Sequence, residues 1–352
     1  MQLEPLGWGP FFADAFRPYD DQDVLPARVA VQHRGAYVLL AETGELRAEA
    51  AGRLARDGAS VPAVGDWVAV RPSGPAFGRI EAVLPRRTAF SRKAATGPTN
   101  RTEEHVLAAN VDVVFLVSSF GRDLNVRRLE RYLATAWESG AEPVIVVTKA
   151  DLVDDAEAAI ALAEVEAIAF GVPLHAVSNV SGEGLDGLAG YLRPGCTVAL
   201  LGSSGAGKST LVNRLAGRER QATQALRDDG RGRHTTTHRE LVPLPSGALV
   251  LDTPGLRELQ LWDAGDGVER TFEDVTALAA DCRFADCSHR TEPGCAVQAA
   301  LDAGTLDAER WASYEKLRRE LHALEVRKDA RLASEEGKRR RSFERSQRKT
   351  AY

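Results

Sequence analysis

The sequence lacks the features of several specialised protein classes. No apolar run approaches the roughly 18 residues of a membrane-spanning helix, and the first residues contain neither the basic region nor the apolar core of a secretory signal. Only four of the 352 residues are cysteine, and the chain contains no internal repeat. We therefore expect a cytoplasmic protein that does not attach to membranes, in a compartment where disulfides rarely form.

Basic residues are also too few to make the whole chain positive. The net charge is −5, which argues against a protein that binds nucleic acid over its entire surface. Residues 337–349 differ, because they contain seven basic residues and one acidic residue, Glu344. Such a tail either binds phosphate backbones without recognising the nucleotide sequence or only keeps the chain soluble. Both are compatible, because the tail can be disordered alone and become ordered on RNA. Its basic residues are Lys338, Arg339, Arg340, Arg341, Arg345, Arg348 and Lys349.

A glycine-rich turn is the clearest motif that is present. It follows the apolar run 197–201 and precedes a helical segment at 209–215. Strand, turn and helix in this order indicate a P-loop, whose backbone N–H groups and helix N-terminus hold phosphates. Lys208 is predicted to reach the β- and γ-phosphates, and Ser209 to bind Mg²⁺. The predicted phosphate-binding residues are Gly202, Ser203, Ser204, Gly205, Ala206, Gly207, Lys208, Ser209 and Thr210.

A second motif, Thr148-Lys149-Ala150-Asp151, is predicted to select the base. It follows the apolar run 143–147, which is typical of a buried strand. The motif therefore lies at a strand's carboxyl end, where open α/β sheets bind ligands. The Asp151 carboxylate can accept hydrogen bonds from two neighbouring guanine N–H groups, and adenine offers no such pair. The Lys149 stem can lie along the base, whereas Thr148 replaces the usual asparagine and its side-chain amide.

A weaker guanine signal lies at the end of the apolar segment 174–177. Ser178 and Asn179 follow it and can contact the guanine O6, although an ordinary strand end fits the pattern equally well. We interpret His175 as a half-buried strand residue rather than a ligand.

Two further elements follow the P-loop. The segment Asp252-Thr253-Pro254-Gly255 has the D-x-x-G pattern that senses metal and γ-phosphate, and Thr236 in the preceding loop is predicted to bind Mg²⁺. Leu256 occupies the place of the water-orienting glutamine of Ras-like enzymes. We therefore expect slow intrinsic turnover unless a partner, or a group such as His234, completes the site.

The order of these elements is unusual. The guanine motif precedes the P-loop, whereas in ordinary GTPases it comes after. All parts of a GTP site are present in a circularly permuted order. This order is compatible with fewer functions than the P-loop alone.

A cluster of three cysteines and one histidine lies nearer the C-terminus. Cys282, Cys287, His289 and Cys295 fall within fourteen residues, a spacing that fits a tetrahedral zinc site. Four protein ligands leave no open position, so the metal is expected to be structural. Disulfide bonding is the alternative, but a cluster of three cysteines in a chain that lacks a signal peptide argues against it. Cys196 stands alone and is interpreted as a small core residue.

The N-terminal region is predicted to be a small β-barrel preceded by an aromatic arm. Residues 28–32, 36–40, 66–70 and 78–84 are the clearest strands, with glycine-containing turns between them. Their pattern leaves both an OB-fold and an SH3-like barrel open. Residues 1–20 contain Trp8, Phe11, Phe12 and Phe16, which indicates a packed or interface-binding arm. A basic segment then joins the barrel to the next domain, as a functional surface or a solvated linker; it contains Arg86, Arg87, Arg92, Lys93 and Arg101.

This succession of motifs resembles one known family. The chain is similar to the circularly permuted GTPases of small-ribosomal-subunit biogenesis, called RsgA, YjeQ or EngC. The similarity rests on the guanine motif, the P-loop, the segment Gly232-Arg233-His234-Thr235-Thr236-Thr237, the D-x-x-G element and the Cys-His cluster, and it covers nearly the whole chain. It implies an N-terminal OB-fold, a central permuted P-loop α/β GTPase and a C-terminal helical zinc-binding domain.

The resemblance also implies a function and further residue roles. It implies a GTPase that binds the small (30S) ribosomal subunit late in its assembly, through 16S rRNA and nearby proteins, and hydrolyses GTP there. The family tolerates threonine at the position of Thr148 and uses the histidine matching His234 as a candidate catalytic group. The predicted catalytic residues are therefore Lys208, His234 and Asp252, and the remaining nucleotide-binding residues include Thr236, Asp252 and Gly255.

Length and composition fit this organisation. A chain of 352 residues predicts two or three domains, and 44% hydrophobic residues suffice for their cores. Alternating strands such as 111–117 and helices such as 125–139 predict a doubly wound sheet. We expect an arm and barrel over residues 1–95, the GTPase over 96–262, the zinc domain over 263–332 and a basic tail over 333–352.

The expected cofactors are GTP or GDP with Mg²⁺, and one structural Zn²⁺; the expected assembly state is a monomer. Two other classes stay open. A P-loop kinase or ATPase acting on a small molecule shares the phosphate site but has no use for the guanine motif. A binding protein regulated by GTP, with incidental hydrolysis, shares the whole site. Turnover measured with and without small subunits separates these classes.

Overall fold

The computed structural model describes residues 2–33, 35–52, 54, 61–74, 76–96, 101–217, 239–252 and 265–328. None of the helices in these ranges is both long and apolar enough to cross a bilayer. The strands are β1 (Leu25–Gln32), β2 (Tyr37–Ala41), β3 (Gly44–Ala50), β4 (Trp67–Pro72), β5 (Phe77–Val83), β6 (Ala89–Thr96), β7 (Arg101–Ala109), β8 (Val113–Ser119), β9 (Glu142–Thr148), β10 (Leu174–Ala176), β11 (Thr197–Gly202), β12 (Arg239–Pro243) and β13 (Leu249–Asp252). The α-helices are α1 (Pro10–Phe16), α2 (Val126–Ser139), α3 (Asp155–Glu166), α4 (Lys208–Leu215), α5 (Gly265–Thr271), α6 (Glu273–Ala280), α7 (Ala296–Asp302) and α8 (Ala308–Lys328).

The first five strands close into a barrel. Their order is β1-β2-β3-β5-β4, and β4 pairs back onto β1. The β3–β5 pair is parallel and the other pairs are antiparallel. This closed five-stranded order is that of an OB-fold, which decides between the two barrels that the sequence pattern left open. The pattern predicted β1, β2, β4 and β5 but missed β3, where charged residues alternate with the buried Leu46 and Ala48.

The central domain is built on parallel strands. Its order is β10-β9-β8-β11-β13-β12, in which only β12 is antiparallel to its neighbour β13. Strands β8, β9 and β11 are almost wholly buried, as expected for strands covered on both faces. Helix α2 begins after Asn125, whose side chain accepts a hydrogen bond from the Arg128 N–H (2.9 Å), and ends at Gly140 in the left-handed conformation. The doubly wound sheet predicted from the sequence is therefore confirmed.

The barrel and the central sheet are continuous. Strand β1 of the barrel pairs with β12, placing Val31 opposite Glu240 and Gln32 opposite Arg239. Eleven of the described strands thereby form one hydrogen-bonded sheet. Periodicity could not predict this junction, because pairing between strands about 200 residues apart leaves no local pattern.

Much of the basic segment after the barrel lies in or beside two described strands. Strands β6 and β7 form an antiparallel hairpin, and the predicted domain boundary between residues 95 and 96 falls within β6. Arg86 donates two hydrogen bonds to the buried Asp66 carboxylate (2.7 and 2.8 Å). Burial raises the pKa of Asp66, and the hydrogen bonds from Arg86 oppose that rise. Arg86 therefore fixes the connection between β5 and β6 against the barrel, so this part of the basic segment is not a solvated linker.

One buried arginine ties the arm, the barrel and the central domain together. Arg28 on β1 donates to the carbonyls of Leu6, Gly65 (3.3 Å) and Asn110 (3.1 Å), and to the hydroxyl of Thr197 on β11 (2.8 Å). Complete burial lowers its pKa to about 10. A buried charge is tolerated only when it is well paired, so this arginine fixes four segments at one point.

The N-terminal arm is packed against the barrel. Trp8 lies edge-on to Trp67 of β4, with ring centroids 4.6 Å apart, and Phe12 and Phe16 are buried. Phe11 is exposed. Of the two predicted roles of the arm, packing is the one that these contacts support.

The C-terminal helices dock on α2 through a buried ionic network. The fully buried Glu130 of α2 accepts hydrogen bonds from Arg127 (2.7 Å), Arg310 (2.9 Å) and Ser313. Arg310 of α8 also binds both carboxylate oxygens of Asp274 on α6 (2.7 and 2.9 Å). Removing one partner would leave a buried charge uncompensated, so this network specifies how the helical domain sits on the central domain.

Candidate functional site

The carboxyl ends of neighbouring parallel strands converge at one edge of the central sheet. The P-loop follows β11, the guanine motif follows β9, and β8 lies between these two strands. Segment 178–179 comes shortly after β10, beside β9. Open α/β sheets bind ligands at this edge. Motifs that are separated in sequence therefore meet in space, and the permuted order of the chain does not disturb the arrangement.

The P-loop has the geometry of a phosphate cradle. Lys208 at the start of α4 folds back so that its Nζ donates to the carbonyls of Gly202 (2.7 Å) and Ser203. Gly207 precedes the helix with φ of 85°, and a Cβ there would lie 3.0 Å from Asn179 Nδ2 and 3.1 Å from Thr148 Oγ1. The left-handed backbone therefore favours glycine, and a side chain there would press against Asn179 and Thr148. The tip, Ser204 and Gly205, is exposed.

Thr148 joins the guanine motif to the P-loop. Its buried hydroxyl donates to the carbonyl of Ala206 in the P-loop (2.7 Å) and also lies 3.2 Å from the carbonyl of Ser118 at the end of β8. The threonine thus makes a direct link between the two motifs although it has no amide. Lys149 follows in the left-handed conformation, with φ of 64°, and the Ala150 N–H donates to the Val177 carbonyl (3.1 Å).

Segment 178–179 positions the guanine motif. The Ser178 hydroxyl donates to Asp151 Oδ1 (2.6 Å), while Asp151 itself is exposed. Asn179 Nδ2 donates to the Gly207 carbonyl (3.1 Å), and its buried Oδ1 has no hydrogen-bond partner among the described residues. Segment 178–179, the weakest of the predicted nucleotide-site signals, therefore contacts both the guanine motif and the P-loop.

Sequence reasoning missed one residue at this edge. Asp123, in the loop after β8, accepts a hydrogen bond from the Ser203 hydroxyl of the P-loop (2.5 Å) and another from Arg128 of α2 (2.8 Å). Its other oxygen, Oδ2, is buried and has no hydrogen-bond partner within the described part of the chain. The available signal was position: an acidic residue follows a buried strand at the ligand-binding edge.

Several predicted residues lie outside the described residues. These are His234, Thr236, Gly255 and Leu256, together with the basic tail at 337–349. The backbone of Asp252 is described: it ends β13 opposite Glu240 of β12, on the strand next to β11. The predicted Asp252 element therefore starts one strand away from the P-loop.

The Cys-His cluster is assembled in three dimensions. The ligand atoms of Cys282, Cys287, His289 and Cys295 all lie within 4.8 Å of one another. His289 Nδ1 is 3.5 Å from both Cys282 Sγ and Cys295 Sγ, and those two sulfurs are 3.9 Å apart. Tetrahedral zinc with ordinary bond lengths requires distances of about 3.8 Å between ligand sulfurs and about 3.6 Å between a sulfur and a nitrogen. The donor set and its spacing therefore fit zinc.

Surrounding contacts hold the cluster in shape. The side-chain amide of Gln298 donates to the His289 carbonyl (2.7 Å), and its backbone N–H points to Cys295 Sγ (3.4 Å). Trp311 lies edge-on to His289 with ring centroids 5.6 Å apart. Groups that orient the ligands of a metal are part of a metal site.

Cys196 and His175, both interpreted from the sequence as structural residues, are half-buried against the central domain. Cys196 is half-buried, packs against the central core, and burial raises its pKa to about 11. His175 is half-buried on β10 with its Nε2 3.2 Å from the Tyr191 hydroxyl, and burial lowers its pKa. In both side chains burial disfavours the charged form, as expected for structural residues.

Comparisons with known proteins agree on one family. A sequence model of the RsgA GTPase family matches residues 83–262. The small ribosomal subunit biogenesis GTPase RsgA of Opitutus terrae is 54% identical over 349 residues, covering 96% of this chain and 94% of that protein. The protein with the same description from Streptomyces coelicolor is 48% identical over 336 residues, covering 95% and 90%.

Solved structures share the architecture. YjeQ from Thermotoga maritima superposes with a TM-score of 0.61 at 27% identity, covering 85% of this chain and 98% of that one. YloQ, described as a circularly permuted GTPase, has a TM-score of 0.60 at 22% identity, covering 86% and 96%, and shows the fold alone. With its permuted nucleotide site, its barrel and its Cys-His cluster, the chain belongs to the RsgA GTPase family.

Proposed function

We propose that this protein hydrolyses GTP and acts in the biogenesis of the small ribosomal subunit. The observation that carries the proposal is the direct link between the P-loop and the guanine motif through Thr148 and Asn179. A kinase or ATPase needs a P-loop but gains nothing from a guanine motif docked on it. Relatives that match almost the full length of the chain are named small ribosomal subunit biogenesis GTPases.

The residues of the phosphate side have distinct proposed roles. Lys208 binds the β- and γ-phosphates, and its contacts with Gly202 and Ser203 preorganise the ammonium group. Ser209, Thr236 and Asp252 hold Mg²⁺, directly or through water. When bound, Mg²⁺ supplies positive charge at the β- and γ-phosphate oxygens, where charge develops during phosphoryl transfer.

Asp123 is proposed as a positioning residue for the phosphate side. It accepts a hydrogen bond from Ser203 of the P-loop, and Arg128 offsets its charge. Its carboxylate therefore fixes the second residue of the loop without contributing a ligand for phosphate.

The guanine side is proposed to read the base through Asp151. Ser178 fixes one carboxylate oxygen of Asp151, so the carboxylate is oriented before a nucleotide arrives. Asn179 and the backbone around it are proposed to face the guanine O6, and the Lys149 stem to cover the ring.

Asp151→Asn is expected to change the preferred base. An amide offers a donor where the carboxylate accepted, so guanine loses its charged hydrogen bonds and xanthine gains a partner. Hydrogen bonds to charged groups contribute about 1.5–3 kcal/mol each, so GTP affinity should fall at least about tenfold. Competition binding with GTP, XTP and ATP measures this. Asp154→Asn, which changes the exposed N-cap of α3, is the matched control and should leave selectivity intact; unchanged selectivity in Asp151→Asn would refute the assignment.

Orienting the attacking water is the step for which the sequence provides the fewest candidate residues. Leu256 stands where a water-orienting glutamine is usual, and His234 is the proposed group to orient the attacking water. We propose that docking on the small subunit completes the site. The barrel, the zinc domain and the tail at 337–349 are the proposed docking surfaces, in a cytoplasmic monomer that contacts 16S rRNA and nearby proteins.

Purified small subunits are expected to stimulate GTP hydrolysis by this protein. An added catalytic group raises GTPase rates by about 10³–10⁵-fold in known systems, and we expect at least about tenfold here. Steady-state phosphate release with and without small subunits measures the effect, and large subunits serve as the control. The protein should also bind small subunits more tightly with a GTP analogue than with GDP. By thermodynamic linkage, bound subunits then raise the affinity for GTP over GDP by the same factor. Equal rates with and without subunits would leave a GTP-binding protein whose hydrolysis is incidental.

The Cys-His cluster is proposed to hold one structural Zn²⁺. Cys282, Cys287, His289 and Cys295 satisfy all four tetrahedral positions, so the metal stabilises the helical domain and has no open position for catalysis.

A further inference from the structure

Helix α3 carries a second apolar face that the described structure leaves uncovered. Its inner face contacts the core through Ala158, Ala161, Leu162 and Val165. On the opposite side, Ile160 is 66% exposed, and the exposed alanines at 156, 159, 163 and 167 surround it. At about 100° per residue these five positions occupy an arc of roughly 100°. We call this set the outer face of α3.

Two further apolar side chains are exposed near the two ends of α3. Leu152, just before α3, is 70% exposed, and Phe170, just after it, is 52% exposed. Single exposed apolar residues are normal, whereas a contiguous apolar patch marks an interaction site. A solvent-facing helix surface ordinarily carries charged residues, so this one is unusual.

Acidic residues border the outer face on both sides. At helical spacing, Asp155 and Glu166 lie along one border, and Glu157 and Glu164 along the other. All four are exposed. The sequence contains no lysine or arginine between Lys149 and Arg193. The nearby Arg310, whose guanidinium carbon is 5.8 Å from the Phe170 ring centroid, is buried and already paired with Glu130 and Asp274.

We infer that the outer face of α3 is a docking site for a basic amphipathic helix of another protein. The alanines allow a partner helix to approach closely, and Ile160 supplies an apolar anchor. The acidic borders pair with lysines or arginines that flank the partner's apolar stripe. A second copy of this chain is a poor occupant, because it would place two sets of carboxylates against each other. The inference does not depend on the nucleotide site.

A synthetic helical peptide tests the docking site. The probe has about 20 residues, with leucines recurring every three or four positions between lysines, and carries a fluorophore. A peptide of identical composition but scrambled order lacks the stripe. Fluorescence anisotropy with the full chain should show at least about tenfold tighter binding of the striped peptide, and this binding should weaken as salt rises.

Variants locate the binding. Ile160→Glu should reduce binding of the striped peptide at least about tenfold, and Ala163→Glu should do the same; both side chains are exposed, so both variants should fold and bind GTP normally. Phe77→Glu, at a barrel position that is 56% exposed, is the matched control and should bind like the parent. Equal binding of the two peptides, or full binding by Ile160→Glu, would overturn the inference. So would a dimer in sedimentation that Ile160→Glu dissociates, since the occupant would then be a second copy.

Discussion

Lys208→Ala is expected to reduce GTP hydrolysis at least about 100-fold. Phosphoryl transfer depends on positioning and on stabilising charge at the phosphate oxygens, and Lys208 is the one lysine of the P-loop. The loop itself should keep its shape less well, because the ammonium group also binds the Gly202 and Ser203 carbonyls. Single-turnover phosphate release with Mg-GTP measures the loss.

The control for this variant is another lysine. Lys316 of α8 is exposed, so Lys316→Ala removes the same charge elsewhere and should leave intrinsic turnover within about twofold. Ser209→Ala should resemble Lys208→Ala if the hydroxyl binds Mg²⁺. Retention of most of the activity by Lys208→Ala would show that hydrolysis takes place somewhere other than this loop.

Cys287→Ser is expected to remove the metal and unfold the C-terminal helical domain. The purified parent should contain about one zinc per chain, and structural zinc contributes about 10–16 kcal/mol of apparent binding free energy in small metal-dependent folds. Helices α5 to α8 enclose a small core around Phe272 and Tyr314, and a core of this size needs the metal to keep so small a unit folded. Metal analysis, together with proteolysis of the region after residue 265, measures both effects.

GTP binding should largely survive this substitution. The nucleotide site lies on the central sheet, whose core cluster is separate from that of the helical domain. Some loss of stability should reach the central domain, because α2 would lose its contact with Arg310 and leave Glu130 without that partner. Cys196 lies outside the cluster, so the Cys196→Ser variant is the control and should contain as much zinc as the parent protein. A parent protein without zinc would contradict the assignment, as would a folded Cys287→Ser variant that loses only turnover.

Much of the site could be predicted because its parts are local. The P-loop and the guanine motif each consist of consecutive residues after an apolar run, so chemistry and context can be read together. The candidate zinc ligands fall within fourteen residues, and their residue types alone limit the metals that they could hold. For Asp123 the local signal was limited to its position after the buried strand β8, because its importance comes from a contact with Ser203, 80 residues later in the chain.

The sequence by itself determined the succession of motifs and the parallel strands that carry them, and it provided the candidate residues for binding guanine, phosphate and zinc. Each of these depends on residue type and short-range periodicity. The tertiary structure decided the rest: the closure of the barrel through β3 and β5, the pairing of β1 with β12, and the burial of Arg28 and Glu130 between domains. These features join residues far apart in the chain, and their stability comes from burial and pairing that exist only once the domains are packed together.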